Sequence, residues 1–477
     1  MARRLFSILM ICLFAAGGCV VGPDYHHPQA SAPSQWSEPL AEGETDAPAV
    51  LVAWWKTFHD PVLDGLMDRA VRSNPDLRIA QARVLEARAQ YGIAFSDLWP
   101  SANISGSYAR QEQSHHQPIL GKLPLPPNVP FENSVYQPSF DASWELDVFG
   151  GRQRALEAAH AEVGAFEYGR RATLITLMGD VARNYLDVRG YQRRLAIARG
   201  NIQAQEEVLD ITRDRFINGL TAELDVQQAI TILATTRADI PRLESLLQAS
   251  IHRLGVLLGQ PPGGLLSELA EEAPIPVTPP EVPVGLPSEL LLRRPDVQRA
   301  ERELAAATAR IGVAKADLFP KFYLTGVAGL QSTSPGDLFS SESNFWSIGP
   351  TIRWRIFDAG RVRANIKVQD ARQEQALAAY EKVVLSAFEE VENALVSYSK
   401  EQVRLRSLKE AVESSRNSLE HARRLYENGV TDFLAVLEAE RSLYLAQDQF
   451  VQSQALVSVD LVSLYKVLGG GWEDAGP

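Results

Sequence analysis

The stretch PDLRIAQARVLEARAQYGIAFSDLWP, from Pro75 to Pro100, decides the fold because the chain contains a second version of it. That version, PDVQRAERELAAATARIGVAKADLFP, runs from Pro295 to Pro320 and aligns without a gap, 220 positions further along as counted from Pro75 to Pro295. Both open on Pro-Asp and close on Asp-Leu-aromatic-Pro. In a chain of 477 residues, this repeat predicts two copies of one structural unit rather than several unrelated domains.

The N-terminus has the features of a secretory signal. Arg3 and Arg4 precede an apolar run from Leu5 to Ala16, which is too short to span a membrane as a helix. Gly17-Gly18-Cys19 then resembles a lipobox, where the signal is removed in front of a lipid-bearing cysteine. We expect Cys19 to carry a diacylglycerol and an N-acyl chain, which together anchor a protein stably. The alternative is a plain signal peptide beside an incidental cysteine.

Proline ends each copy of the opening stretch, and the periodicity changes behind it. Pro100 and Pro320 cannot continue a helix. Apolar and polar residues then alternate in two runs per copy, which predicts strands. The runs begin at Ser101 and Tyr136 in the first copy, and lie at Phe322–Ala328 and Trp346–Ile356 in the second.

The two faces of the predicted strands differ in chemistry. From Tyr136 to Phe149 one face carries Tyr, Phe, Trp and Leu, whereas the other carries Gln, Ser, Asp and Glu. This pattern favours a transmembrane β-barrel with lipid outside and water inside, and a soluble sandwich with one wet face is the alternative. Four strands cannot close a membrane barrel, whose size starts at about eight. We expect three copies to supply twelve strands, although the sequence alone also permits two copies.

Two long stretches without proline follow the predicted strands. They run from Arg152 to Asn218 and from Arg361 to Asn428, with an apolar residue at every seventh position. Such a repeat is typical of helices that pack continuously on their neighbours. Each stretch ends at Asn-Gly, a pair suited to a helix C-terminus, and a returning helix follows, Thr221 to Gly259 and Thr431 to Gly469. A cytosolic coiled coil is the alternative, against which the secretory signal and the intervening strands argue.

These features divide the chain into five segments. They are a signal peptide (1–18), a lipid-anchored segment with a short helix (19–74), a first repeat (75–259), a Pro-rich linker with a short helix (260–294) and a second repeat (295–472). Each repeat is expected to contain a helix, two strands and a long helical hairpin. The predicted fold class is therefore mainly α, with a transmembrane β-barrel built from an internal duplication.

Composition and motifs offer no catalytic chemistry. A formal net charge of −12 argues against nucleic-acid binding, which favours a basic face. The histidines lack the spacing of a zinc site, and the sequence contains no nucleophile elbow or phosphate loop. Cys12 lies inside the signal, so Cys19 is the only cysteine expected in the mature chain. We expect no enzyme activity, no metal site and no cofactor besides the lipid.

Several motifs together resemble the outer-membrane factor family, the TolC-like channels, and within it the NodT-type efflux lipoproteins. No single motif is diagnostic, but their order and spacing cover nearly the whole chain. The matching pieces are GGCVVGPDYHHP, WWKTFHDPVLDGLMDRAVRSNPDL, both Asp-Leu-aromatic-Pro boundaries, LDVFGGR with RIFDAGR, NGLTAELDV with NGVTDFLAVLEAERSLYLAQ, and LYKVLGGGW.

The resemblance implies a homotrimer in the outer membrane. Its twelve-stranded barrel would continue into a long periplasmic barrel of helices, with a mixed belt around the waist. The implied function is a passive exit duct for drugs or other small molecules, metal ions included. The duct would dock with a periplasmic adaptor, a membrane fusion protein, and with an inner-membrane RND-type pump that supplies the energy.

The resemblance also implies a gate at the periplasmic end, where inward-leaning hairpins carry rings of polar or charged residues. The corresponding tips are Phe216–Thr221 and Tyr426–Phe433. Gate candidates within two turns of the tips are Asp210, Asp214, Leu419, Glu420, Arg423 and Asp432. The tip residues expected to dock the adaptor are Asn218, Gly219, Asn428 and Gly429. Arg423 departs from the acidic residue that the family favours near this position.

Two other functions are compatible with parts of this pattern. A type I protein-export duct uses the same architecture with another inner-membrane pump, but the lipobox and the N-terminal motifs favour small-molecule efflux. A lipid-anchored periplasmic coiled-coil scaffold would keep the helices and cross no membrane. Conductance across a planar bilayer separates the scaffold from either duct.

Overall fold

The structure, a computed structural model, describes residues 20–28, 33–37, 44–45, 52–112, 114, 132–276, 278 and 282–472. A short 3-10 helix, Trp54–Phe58, precedes helix α1, Pro61–Ser73. Asp60 caps α1, because its side chain accepts a hydrogen bond of 2.9 Å from the backbone N–H of Val62. Pro61 is the first residue of α1, a position where the helix needs no backbone N–H from it.

The first repeat begins with helix α2, Pro75–Ser96, and continues into strands β1, Ser101–Glu112, and β2, Glu132–Leu146. Helix α3, Gly151–Ile217, is a single helix of 67 residues, and helix α4, Glu223–Leu257, returns along it. The Asn-Gly pair thus ends the long helix where the sequence predicts.

The described part of the region between the repeats contains a 3-10 helix, Pro262–Leu265, and a short α-helix, α5, Pro287–Arg293. Val282–Pro283 forms a two-residue parallel pairing with Glu44–Thr45. Within the described residues, no helix combines the length and the apolar content that crossing a bilayer requires.

The second repeat has the same element order as the first. It consists of α6, Pro295–Ala316, β3, Lys321–Leu330, β4, Asn344–Arg353, α7, Arg361–Glu427, and α8, Phe433–Val467. Helix α7 again has 67 residues and α8 again has 35, like α3 and α4. The predicted internal duplication is confirmed in the order of the elements and in the lengths of the helices, whereas both strands are shorter in the second repeat.

One predicted strand is longer than the observed one. The alternation of residues continues to Ile356, but β4 ends at Arg353. The reason is the register, in which Arg353 pairs with Lys321, the first residue after Pro320. Residues beyond Arg353 have no further position of β3 to pair with, so alternation alone cannot extend the strand.

The four strands form one antiparallel sheet in the order β1-β2-β3-β4. Ser101 pairs with Ser143 at one end of the β1–β2 ladder, and Leu146 pairs with Phe322 between the two repeats. Strands β1 and β4 are the two edges of the sheet within the described chain. Every residue of β1 is exposed in the single chain.

The chain folds into two compact units, and each unit takes segments from both repeats. Unit 1 comprises the described parts of Met1–Pro28, Leu85–Gly164 and Glu301–Ala378. Unit 2 comprises those of Gln29–Val84, Ala165–Ala300 and Ala379–Pro477. The segment boundaries predicted at 75–259 and 295–472 describe the sequence repeat and stay a prediction, because compactness follows a different division.

The core of unit 2 collects apolar residues from many elements. Trp54 is 1% exposed and stacks on Tyr465 of α8 with ring centroids 5.3 Å apart. Other fully buried members of this core are Leu63, Leu66, Met67, Tyr185, Leu186, Leu254, Leu258 and Leu464. Helix α1 is thus fixed against both long hairpins by burial of its apolar face.

The Asp-Leu-aromatic-Pro boundary is tied to the sheet in the same way in both repeats. The indole N–H of Trp144, near the end of β2, donates to the carbonyl of Leu98 at 2.9 Å. The indole N–H of Trp354, just after β4, donates to the carbonyl of Leu318 at 3.1 Å. Each repeat therefore joins the end of its helix to its second strand through one tryptophan.

We expect Trp144→Phe to lower the midpoint of thermal unfolding in detergent, measured by circular dichroism. The ring is kept while one hydrogen bond is lost, which corresponds to about 0.5–1.5 kcal/mol of unfolding free energy. Trp354→Phe should have a smaller effect, because Trp354 is 60% exposed. Trp346→Phe is the control, since its ring is 76% exposed. Equal midpoints for the Trp144 and Trp346 variants would contradict a structural role for the indole bond.

Candidate functional site

The two hairpin tips share one backbone geometry. Gly219 follows α3 with a φ of 72°, and Leu220 then donates its backbone N–H to the carbonyl of Arg215 at 2.8 Å. Gly429 follows α7 with a φ of 70°. Glycine adopts this left-handed conformation without the steric cost that a Cβ would add. The tips are therefore tight turns of defined shape.

The asparagines of the tips close the preceding helices. Asn218 donates its side-chain amide to the carbonyl of Asp214 at 2.7 Å, and Asn428 does the same to Arg424 at 2.7 Å. The same two carbonyls also accept the backbone N–H of Asn218 and of Asn428, at 3.1 and 3.2 Å, so each asparagine closes its helix through both its backbone and its side chain. The four Asn-Gly residues predicted to dock an adaptor thus form the turns themselves, and their docking role stays a prediction.

A shared apolar cluster joins the two tips, which we call the tip core. It contains residues of all four long helices, so neither tip is an independent arm within unit 2. Its buried members are Leu209, Val226, Ala229, Leu233, Ala422, Tyr426, Phe433, Val436 and Leu437.

An arginine of the first hairpin covers an aromatic ring of the second. The guanidinium carbon of Arg215 lies 4.3 Å from the ring centroid of Tyr426. Tyr426 in turn lies 5.3 Å from the ring of Phe433. A cation over an aromatic face contributes about 0.5–1 kcal/mol, and more where water is excluded. This contact therefore links α3 to α7 within the last turn of each helix.

The second hairpin contains a buried ion pair. Arg423 donates to Glu440 at 2.7 Å, and the Glu440 side chain is only 5% exposed. Burial raises the pKa of Glu440 above its ordinary value, although the hydrogen bond and charge of Arg423 act in the opposite direction. The second carboxylate oxygen of Glu440 has no hydrogen-bond partner among the described residues. Arg423 is therefore the main group that holds this carboxylate ionised.

The first hairpin lacks an equivalent pair. The positions 210 residues earlier than Arg423 and Glu440 are Arg213 and Ile230. Arg213 instead lies 3.6 Å from Asp210 on its own helix, where both side chains are exposed. Ile230 is apolar, which indicates that this position packs against other residues. This difference between the repeats is the signal that could have identified Glu440 as buried from the sequence.

The other gate candidates lie at ordinary structural positions around the tips. Asp432 caps α8 by accepting a hydrogen bond of 3.3 Å from Ala435, and Glu420 forms an ion pair with Arg424 one turn along α7. Leu419 packs against the tip core. Asp214 is exposed, and its backbone carbonyl accepts the side-chain hydrogen bond of Asn218. Their gating roles stay predictions.

A polar layer further from the tips also joins the two hairpins. Tyr444 of α8 donates its hydroxyl to Asp239 of α4 at 3.0 Å. Arg194 of α3 binds Asp448 of α8 through two nitrogens, at 2.7 and 3.1 Å. Burial, and then the neighbouring Asp239, raises the pKa of Tyr444, so its hydroxyl remains a donor at neutral pH. These bonds hold α8 against both helices of the first hairpin.

Cys19, the predicted lipid-bearing residue, lies outside the described residues. Among the residues that the structure does describe, no group of three or more His, Cys, Asp or Glu side chains could hold a metal ion.

Both repeats of the chain match one protein family. The model of the outer membrane efflux protein family matches residues 66–260 and 286–470. The pyoverdine export outer membrane protein OpmQ of Pseudomonas aeruginosa is 35% identical over 99% of this chain and 98% of its own. A probable outer membrane lipoprotein of Salmonella typhimurium, SilC, is 33% identical over 98% of this chain and 99% of its own.

A solved structure extends the match to three dimensions. The outer-membrane channel OprN superposes with a TM-score of 0.89 at 37% sequence identity, covering 95% of this chain and all of its own. The repeated element order, the four-stranded sheet and the paired hairpins are therefore shared with a known channel. The chain belongs to the outer membrane efflux protein family.

Proposed function

We propose that this protein is the passive exit duct of a tripartite efflux system for drugs or other small molecules. As an outer membrane efflux protein it is located in the outer membrane. One observation supports the duct above all: a sheet with two open edges is continuous in sequence with two helices of 67 residues each. Such helices greatly exceed the three turns typical of globular proteins.

A homotrimer would satisfy the open edges of the sheet. Strands β1 and β4 each offer one row of backbone groups that no described strand of the chain pairs. In lipid such groups are costly, and membrane barrels avoid the cost by closing. Three chains would close twelve strands. Large exposed apolar side chains on the strands, among them Ile104 at 86% and Trp346 at 76%, suit a lipid-facing wall.

The hairpin tips are the proposed contact for a periplasmic adaptor, through which an inner-membrane RND-type pump would deliver cargo. Besides the glycine turns, the tips expose apolar side chains: Ile217 is 78%, Leu220 68% and Val430 70% exposed. Isolated exposed residues are ordinary, but a cluster of them at the end of a structure favours a protein partner. Selection of cargo, metal ions included, is assigned to the pump, which supplies the energy.

We expect the purified mature protein to form stepwise conducting pores in planar bilayers. Light scattering in detergent should give the mass of three chains. A stable monomer that does not conduct would contradict the duct and favour the scaffold. Deletion of the gene should increase susceptibility to small toxic compounds and leave protein secretion unchanged; the opposite pattern would indicate a protein-export duct.

The tip core, the Arg215–Tyr426 contact and the Arg423–Glu440 pair are proposed to hold the periplasmic end shut. A ring of like charges around a narrow axis would repel itself, so each charge near the axis needs a counter-charge. Glu440 supplies one to Arg423 within the same hairpin. On this proposal, the arginine at position 423 is compatible with a closed end because it is neutralised locally.

We expect Arg423→Glu to increase entry of a large hydrophilic antibiotic such as vancomycin. Two carboxylates would then face each other, and a loss of about 1.4 kcal/mol for the closed state would raise the open fraction roughly tenfold. The measurement is the minimal inhibitory concentration, which should fall. Restoration by the double swap Arg423→Glu with Glu440→Arg is the internal check.

Arg213→Glu is the matched control, since it changes the equivalent position of the first hairpin at an exposed site. Charge reversal at Asp210, Asp214, Glu420 or Asp432 tests the remaining candidates in the same assay. Unchanged susceptibility of Arg423→Glu and of these four charge reversals, at normal protein levels in the membrane, would reject the gate assignment.

Cys19 is the proposed lipid anchor. We expect mass spectrometry of the mature N-terminus to find Cys19 as the first residue, carrying a diacylglycerol and an N-acyl chain. Cys19→Ser should abolish incorporation of labelled palmitate, whereas Cys12→Ser in the signal should not change it. An unmodified Cys19, or cleavage at another residue, would contradict the anchor.

A further inference from the structure

We propose that Gly150, Arg154, Glu301 and Gly312, here called the anchor seat, bind residues 20–25 and so fix the lipid-bearing N-terminus beside the end of β2. The proposal rests on the lipid anchor proposed above. All residues involved belong to unit 1. On this proposal, the seat gives the lipid-bearing N-terminus a defined position on unit 1.

Arg154 is the centre of the seat. Its side chain is only 5% exposed and donates to the Asp24 carboxylate at 2.6 Å and to the carbonyl of Val21 at 3.2 Å. A third bond of 2.7 Å joins it to Glu157 one turn along α3. The Arg154 guanidinium also holds the pKa of Asp24 below its ordinary value. A nearly buried arginine is thus committed to the side chain and backbone of the N-terminal segment.

Two glycines allow the segment to approach the helices closely. A Cβ built on Gly22 would lie 2.4 Å from the Cα of Gly312 in α6. A Cβ built on Gly312 would lie 2.7 Å from Cγ of Arg154 and 2.9 Å from the carbonyl oxygen of Val21. All three distances are too short for a Cβ at either glycine. The backbones of segment and helix therefore meet with no intervening atoms.

Tyr25 closes the far end of the seat. Its hydroxyl donates to Glu301 at 2.8 Å, and the Glu301 side chain is 3% exposed. The ring packs on a small cluster of alanines that provides the space for it: Ala161, Ala305 and Ala306. A buried carboxylate without a donor is costly, so the tyrosine hydroxyl and Arg302 at 2.5 Å satisfy Glu301 together.

The duplication provides an internal control for the seat. The counterparts of Gly150, Arg154, Glu301 and Gly312 in the other repeat are Gly360, Ala364, Gln81 and Gly92. Within the described chain, a Cβ built on either counterpart glycine meets no atom within 4 Å. The helix start at Ala364 is nevertheless made by the same backbone bond of 2.9 Å as at Arg154. The repeated unit therefore folds without the arginine, which is present only where a segment has to be held.

The seat restricts the position of the anchor through covalent geometry. Val21 donates its backbone N–H to the carbonyl of Phe149 at 3.2 Å, and Val20 lies against Gly150. Cys19 is bonded to Val20, and consecutive Cα atoms are about 3.8 Å apart. On this proposal, the acyl chains start one residue from the contact of Val20 with Gly150, close to the junction of β2 and α3.

The test measures where the acyl chain lies. Cells are fed palmitate that carries a photoreactive diazirine, the full mature protein is purified and irradiated, and cross-linked peptides are mapped by mass spectrometry. In the unaltered protein we expect cross-links concentrated in the chain's own residues around β2 and the start of α3. In Gly22→Ala and Arg154→Ala these should fall roughly tenfold, the factor that corresponds to about 1.4 kcal/mol.

Gly22→Ala is the decisive variant, because it changes only the segment and leaves α3 and α6 intact. Gly312→Ala and Gly92→Ala form a matched pair at equivalent positions of the two repeats, and only the former should disperse the cross-links. Circular dichroism verifies that each variant is folded. Unchanged cross-links in folded Gly22→Ala and Arg154→Ala would overturn the seat. Absence of label from the unaltered protein would instead refute the lipid anchor itself.

Discussion

Backbone hydrogen bonding in a medium without water is the constraint on which the rest of this structure depends. Among the residues that the structure describes, strands β1 and β4 each leave one edge without a partner strand. Hydrocarbon cannot satisfy those groups, so a four-stranded sheet is stable in a membrane only as part of a closed assembly. The duplication doubles the number of strands that each chain contributes. In each repeat a proline marks where the first strand starts. The indole bonds of Trp144 and Trp354 then tie the end of the second strand to the helix that precedes the sheet.

Local signals in the sequence were sufficient for the elements themselves. Pro100, Pro320 and the Asn-Gly pairs are chemical stops, and strict alternation or a seven-residue repeat extends over many residues, so element types and most ends agree with the structure. The exception at Ile356 shows the limit, because a strand ends where its partner ends. Compact units could not be predicted either, since they depend on contacts between segments that are distant in the chain.

The candidate site was predictable only in part, for the same reason. Glycine turns at the tips follow from Asn-Gly, whereas the burial of Glu440 depends on how α7 and α8 pack, and a charged residue on a long helix normally indicates a solvated surface. Arg154 and Asp24 are separated by 130 positions, so nothing local connects them. For Glu440 and for Arg154, the informative signal was a difference between the repeats. The equivalent positions are Ile230 and Ala364, respectively.

The unequal hairpins have a consequence for symmetry. If the two repeats were identical, three chains would present a mouth with six equivalent clefts. The pair of Arg423 with Glu440 occurs in one hairpin, and its counterpart combines Arg213 with Ile230. In the proposed trimer the mouth would therefore be threefold, with two unlike kinds of cleft in alternation. A protein that capped it would have to present either two different faces or one face that tolerates both.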